Sequence, residues 1–220
     1  MFRSSIIRPS SSLFLIVCIS LICCLLGCSK SEVQPQQTQR VAQTEPQKLY
    51  LRSQQELARA EYKQAYVDYQ KAVSMDQGVA NTSHLSSILY SWAISKSEPE
   101  DIPLLKRQKQ VWLAPRQFAL REGLLALGVD KDKRIIHAFG LGIAPGNVKN
   151  PAQRSMMARK TAEADAAAWV ARLATWSEAG VSCPFDISSQ TLVGMETFKE
   201  LWVDDTIYVI RVQAPVDCLK

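Results

Sequence analysis

The sequence predicts an α+β protein: an N-terminal helical hairpin followed by a β-α-β-β module with one long helix packed on a small sheet. Three observations predict it. Apolar residues recur at helical spacing through "AEYKQAYVDYQKAVSMDQ" (Ala60 to Gln77). An Ala-rich run, "ARKTAEADAAAWVARLATW", follows a good helix-start signal at Asn150 and Pro151. Strand-like runs flank it, "RIIHAFGLGIA" before and "QTLVGMETFKELWV" and "TIYVIRVQA" after. The order β-α-β-β makes a layer of helix on sheet.

At the N-terminus Arg3 and Arg8 precede an uncharged apolar run from Leu13 to Leu26, and the polar "SKSEVQPQQTQ" follows closely. That is a signal-peptide layout, and the run is several residues short of the roughly 20 that span a bilayer. The run ends Leu25-Leu26-Gly27-Cys28. This ending resembles the lipobox of bacterial lipoproteins. The resemblance implies cleavage between Gly27 and Cys28, a lipid on the Cys28 thiol and an acylated new N-terminus. Several acyl chains exceed the two signals that stable anchoring takes. Ser29 stands where lipoproteins kept at the inner membrane often carry aspartate, so the resemblance implies the outer membrane, facing the periplasm.

Removing residues 1–27 from 220 leaves 193, one ordinary domain or two small ones, and the net charge falls from +5 to +3 as Arg3 and Arg8 leave. So mild a charge argues against nucleic acid as a partner. Besides Cys28, the mature chain holds only Cys183 and Cys218. An oxidising periplasm lets such a pair persist, and we expect a disulfide between them, with two buried free thiols as the alternative. A loop of about 35 residues gives roughly 3–4 kcal/mol in the chain-entropy model.

Residues 28–47 are the lipidated cysteine and a Gln-rich tether, whose flexible part has an r.m.s. reach on the order of 25 Å. Residues 48–98 are a helical segment. Within it Ala65, Tyr69 and Ala72 follow the small-large-small spacing of a tetratricopeptide repeat's second helix, with Tyr62 ahead of them and Asp76 near the end. The segment resembles that repeat, although Gln77 replaces the expected proline. An amphipathic helix without repeat ancestry is the alternative. Tyr62, Tyr66 and Tyr69 are the candidate partner-binding residues. The first helix is expected over Leu49 to Arg59, and "HLSSILYSWAIS" begins another.

Residues 99–133 connect the two parts. "SKSEPEDIP" is a breaker-rich linker, Pro115 stops a helix, Gln117 to Leu127 is helical, and Gly128 with "DKDK" is a turn. Lys106, Arg107 and Lys109 form a short basic run, read as a solvated face or a site near anionic headgroups. In the module, residues 134–220, "APGN" has the Pro-Gly centre of a type II turn, and Gly180 ends the long helix. Met157, Ala164, Ala168 and Ala171 lie along one helical stripe, with Trp169, Val170 and Leu173 beside it.

The stretch "GLGIAPGNVKNPAQRSMMARKTAEADAAAWVARLA" resembles the LPP-twenty family of outer-membrane lipoproteins, which includes flagellar P protein-like chains, and the related N-terminal module of the flagellar T-ring protein. The matching positions are Gly140, Gly142, Ala158, Arg159, Ala162, Asp165 and Ala166, with Thr161 where the family often has alanine. The resemblance covers about Arg134 to Ala214 and implies a lipid-anchored module of envelope assemblies, without catalysis.

Chemistry finds little support in the sequence. Pro145 occupies the third glycine position of a dinucleotide loop, so Gly140 and Gly142 are read as admitting the Ala-rich helix. Asp165 is read as structural, pairing with Arg159 or a backbone donor. Neither His84 nor His137 has nucleophile or metal-ligand spacing around it. Glu196 and Glu200 would share a strand face about 13 Å apart, outside the glycosidase range of about 5–9.5 Å. The expectation is therefore a non-enzymatic, periplasm-facing scaffold or assembly factor without metal or cofactor. Its partners would be the lipid membrane and envelope proteins, with a homo-oligomer also open; the resemblance alone implies the flagellar basal body as the first of them. The alternatives are a regulator of cell-wall synthesis and, behind it, a peptidoglycan-acting enzyme.

Overall fold

Thr44 starts the first helix by a reciprocal cap in which its side chain and that of Gln47 each satisfy a backbone donor, and Pro46 fits the first turn. Helix α1 therefore runs Glu45–Ala58, starting four residues ahead of the expected Leu49. It is followed by α2 (Tyr62–Met75), a 3-10 turn (Gln77–Val79), α3 (Thr82–Lys96), α4 (Ile102–Leu113) and α5 (Phe118–Gly128). Strands β1 (Val129–Asp130) and β2 (Ile135–Ile143), the long helix α6 (Pro151–Ala179), and strands β3 (Glu196–Val203) and β4 (Ile207–Pro215) complete the chain. The computed structural model describes residues 43–146, 148–185 and 192–219. Gly27, Cys28, the apolar run and most of the tether lie outside the described residues.

Among the described residues the architecture is α+β: six α-helices and an antiparallel sheet of order β1-β2-β4-β3. Two-residue β1 is a fourth strand beyond the three expected. It forms because Asp130 turns the chain, its carboxylate accepting the Asp132 and Lys133 N–H groups, and Arg134 takes a left-handed φ of 54°. Around Pro145 the turn also differs from expectation. Gly146 does not take the left-handed φ of a type II centre, and the Val148 N–H reaches back to the Pro145 carbonyl. Asn147 lies outside the described residues.

Asn150 caps α6 as expected, accepting from the Ala152 and Gln153 N–H groups, and Gly180 ends the helix at φ 88°. Of the stripe named from sequence, Ala171 is buried and Ala168 half-buried. Ala158, Ala162, Ala166, Trp169, Val170 and Leu173 are buried, whereas Met157 and Ala164 are exposed. Gly140 and Gly142 decide which stripe faces the sheet. A Cβ on Gly140 would lie 2.0 Å from the Ala162 carbonyl oxygen, and one on Gly142 would lie 1.9 Å from that of Ala158. Helix backbone thus sits against strand backbone, with alanine methyls filling what little space remains.

The core is continuous from this layer into the helices. Trp169 Nε1–H donates to the buried Tyr90 hydroxyl of α3 at 3.1 Å, and the Trp169 ring meets Trp112 of α4 and Phe185. At the other end of the helical segment, Ala65, Tyr69 and Ile88 form a smaller cluster between α1, α2 and α3.

Candidate functional site

The free edge of β2 is where the helices engage the sheet most specifically. β1 covers only Ile135 and Ile136, so the backbone groups of Phe139 and Leu141 face away from β4 without a strand partner. Gln108 of α4 imitates a strand there: its Nε2 donates to the Phe139 carbonyl and its Oε1 accepts the Phe139 N–H, both at 2.9 Å. Asp165 of α6 accepts the Leu141 N–H at 3.0 Å. The expected backbone donor for Asp165 is found, and three of the edge's strand groups are taken up by side chains. Desolvation pushes the Asp165 carboxyl up to about 6, opposed by the Leu141 N–H and the Arg172 charge.

A second cluster joins the linker after α3 to the sheet. Asp101 is buried and accepts from Arg211 at 2.7 Å and from Lys199 at 2.9 Å, and Lys199 also reaches Glu98. Arg211 in turn lies over the rings of Phe139 and exposed Phe198. These partners stand about a hundred positions apart in sequence, so spacing gave no signal for them. A cavity of about 160 Å³ lies beside the cluster.

His84 has a close serine that sequence reasoning missed, Ser53, 31 residues earlier. The Ser53 hydroxyl donates to the Ala65 carbonyl at 2.7 Å, so the 2.9 Å contact to His84 Nε2 is made by imidazole N–H donating to the serine oxygen. A nucleophile needs the opposite polarity, a hydroxyl giving its proton to the ring. Burial lowers the His84 pKa, and the ring packs edge-on against Tyr50 and Tyr69.

The carboxylate pair on β3 is also rearranged. A bulge between Thr197 and Lys199 puts Glu196 opposite Gln213 and Glu200 opposite Ile210. One extra residue reverses the alternation. Glu196 and Glu200 therefore lie on opposite faces of the sheet, and the expectation that they share one is corrected. Glu200 faces Arg159 of α6 at 3.9 Å.

Cys183 and Cys218 are free thiols in the structure. The Cys183 thiol donates to the Ala179 carbonyl at 3.7 Å, just past α6. Cys218 is buried beyond β4, where desolvation and the charges of Asp217 and Glu178 raise its pKa. Both thus lie near the C-terminal end of α6, each turned to its own neighbours. The first residues after α6, as far as Phe185, are held there by two buried guanidinium groups. Arg121 donates to the Pro115, Val181 and Cys183 carbonyls and lies over Trp176, while Arg172 donates to the Phe185 carbonyl and lies over its ring.

Of the three tyrosines expected to bind a partner, Tyr69 is a core residue. It is 4% exposed, and its hydroxyl exchanges hydrogen bonds with the Asn81 backbone. Tyr66 is half-buried against Trp92. Tyr62 is half-buried between two open grooves. One of about 540 Å³ lies between the start of α2 and the end of α3, and one of about 340 Å³ lies between α3 and α4.

Among the described residues no helix is long and apolar enough to cross a membrane, and no cluster of three or more His, Cys, Asp or Glu side chains is placed to hold a metal. Searches of protein-family models, curated proteins and solved structures find nothing that matches this chain.

Proposed function

We propose that the chain is a non-enzymatic lipoprotein of the outer membrane, tethered through lipid at Cys28 and acting in the periplasm as a scaffold or assembly factor for an envelope complex. The flagellar basal body is the complex proposed first, on the resemblance of Gly140 to Ala166 to the LPP-twenty module. The observation that carries the anchor is Leu25-Leu26-Gly27-Cys28 at the end of an uncharged apolar run behind Arg3 and Arg8. The polar groups near the sheet support a binding rather than a chemical role. Gln108, Asp165 and Asp101 are each spent on holding helices to strands. Anchoring raises the effective concentration of the folded part near a membrane-associated partner.

Metabolic labelling with palmitate, with mass spectrometry of the mature N-terminus, tests the anchor. We expect a chain beginning at acylated Cys28, and loss of both label and membrane fractionation in Cys28→Ala. An unacylated chain that starts elsewhere would overturn the reading. A motility defect on deletion supports the flagellar assignment; altered cell-wall synthesis with normal swimming would replace it.

A further inference from the structure

The grooves beside Tyr62 share a chemical character. Aromatic and aliphatic side chains line part of each, Trp92 on one side of Tyr62 and Ile94 and Leu113 on the other, beside Gln64, Ser91, Ser95 and Gln110. Their charged rim is mostly cationic: Lys63 and Lys96 on the first groove and Lys106 and Lys109 on the second, against Glu61 alone. Lys63 is paired with Asp204. None of the ion pairs among the described residues includes Lys96, Lys106 or Lys109. Lys109 is half-buried, its ammonium donating to the Ser91 hydroxyl at 2.7 Å, and burial lowers its pKa. A half-buried ammonium hydrogen-bonded to a neutral hydroxyl favours the arrival of a carboxylate.

We propose that this pair of grooves docks an acidic peptide segment of the scaffold's partner, an apolar side chain lodging against Tyr62 and carboxylates meeting Lys96, Lys106 and Lys109. The inference rests on the scaffold reading and adds to it the site and the chemistry of the partner. A bilayer surface fits less well. Its headgroups form a broad plane, whereas Lys109 is half-buried along the groove between α3 and α4, with Tyr62 lining both grooves.

The test uses the full mature chain and a fluorescent ten-residue peptide of alternating glutamate and leucine, with glutamine in place of glutamate as the control. Vesicles of phosphatidylglycerol provide the membrane comparison. The expected result is binding at least about tenfold tighter to the glutamate peptide than to the glutamine one. Rising salt should weaken it, and Lys96→Glu with Lys106→Glu should abolish it. Both lysines are exposed, so the double variant is expected to melt with the native protein. Tyr62→Ala should weaken both peptides. Equal binding of the two peptides, binding of neither, or charge-reversal loss confined to vesicles would each overturn the proposal. Acylation at Cys28 without peptide binding would sink the groove alone. Peptide binding by a chain that is never acylated would sink the anchor and leave the groove.

Discussion

At the residue scale, two positions show how little slack the helix–sheet contact has. Gly140→Ala must push α6 away from β2, because the added methyl would lie 2.0 Å from a backbone oxygen. We expect a loss of about 3 kcal/mol or more in denaturant unfolding, the upper end of overpacking costs. Gly146→Ala, with nothing within 4 Å of the new methyl, should stay within about 0.5 kcal/mol of the native chain. Asp165 makes the second case. Its folded-state pKa of about 6 lies above the unfolded carboxylate value, so between these two the native state holds a proton the unfolded chain has lost. Stability therefore falls as pH rises from about 4 to about 6 and is level with respect to this group above that. Asp165→Asn keeps an oxygen for the Leu141 N–H and should flatten that slope, with stability at pH 7 raised by up to about 3 kcal/mol. Unfolding titrations across this range would check both statements. His84 acts with the opposite sign. Its lowered pKa adds stability above the ordinary imidazole range, and that stability is lost as pH falls through it.

At the scale of elements, Asp101 is the side chain that fastens the linker after α3 to β3 and β4. Asp101→Ala leaves Arg211 and Lys199 beside a site built for a carboxylate, and we expect a loss of about 3 kcal/mol on thermal or chemical unfolding. What could be read from sequence divides along the same line. Local signals were legible: Asn150 and Pro151 at the start of α6, Gly180 at its end, Pro115 between α4 and α5, and the small-large-small face of Ala65, Tyr69 and Ala72. Even the role of Gly140 and Gly142 was readable, because adjacent small residues on a strand and an Ala-rich helix invite one another. Features set by long-range partners were not legible. Gln108 capping Phe139, Asp101 gathering Arg211, and Ser53 under His84 have partners 31 to 110 positions away. The bulge that parts Glu196 from Glu200 has no motif, since it follows from how β3 registers against β4. The buried face of α6 was open in the sequence for the same reason: alanines lie on several sides of the helix, and the two glycines across from it select a face.

At the scale of the whole molecule, helices and sheet share one core through Trp169, Tyr90, Trp112 and Phe185, so the segment carrying the Tyr62 grooves is held to the module by buried contacts. The structure leaves Cys183 and Cys218 unbridged, against the disulfide expected between them. Thiol titration of unfolded protein prepared without reductant decides between the two: both thiols free would agree with the structure, and neither free would restore the bridge. The most direct single measurement of the tethered scaffold is lysine crosslinking in intact cells, followed by mass spectrometry of the linked peptides. The tethered-scaffold reading predicts links from Lys96, Lys106 or Lys109 to acidic segments of an envelope or flagellar protein, lost when Cys28 is replaced by alanine. Links confined to this chain itself, or unchanged by loss of Cys28, would contradict it.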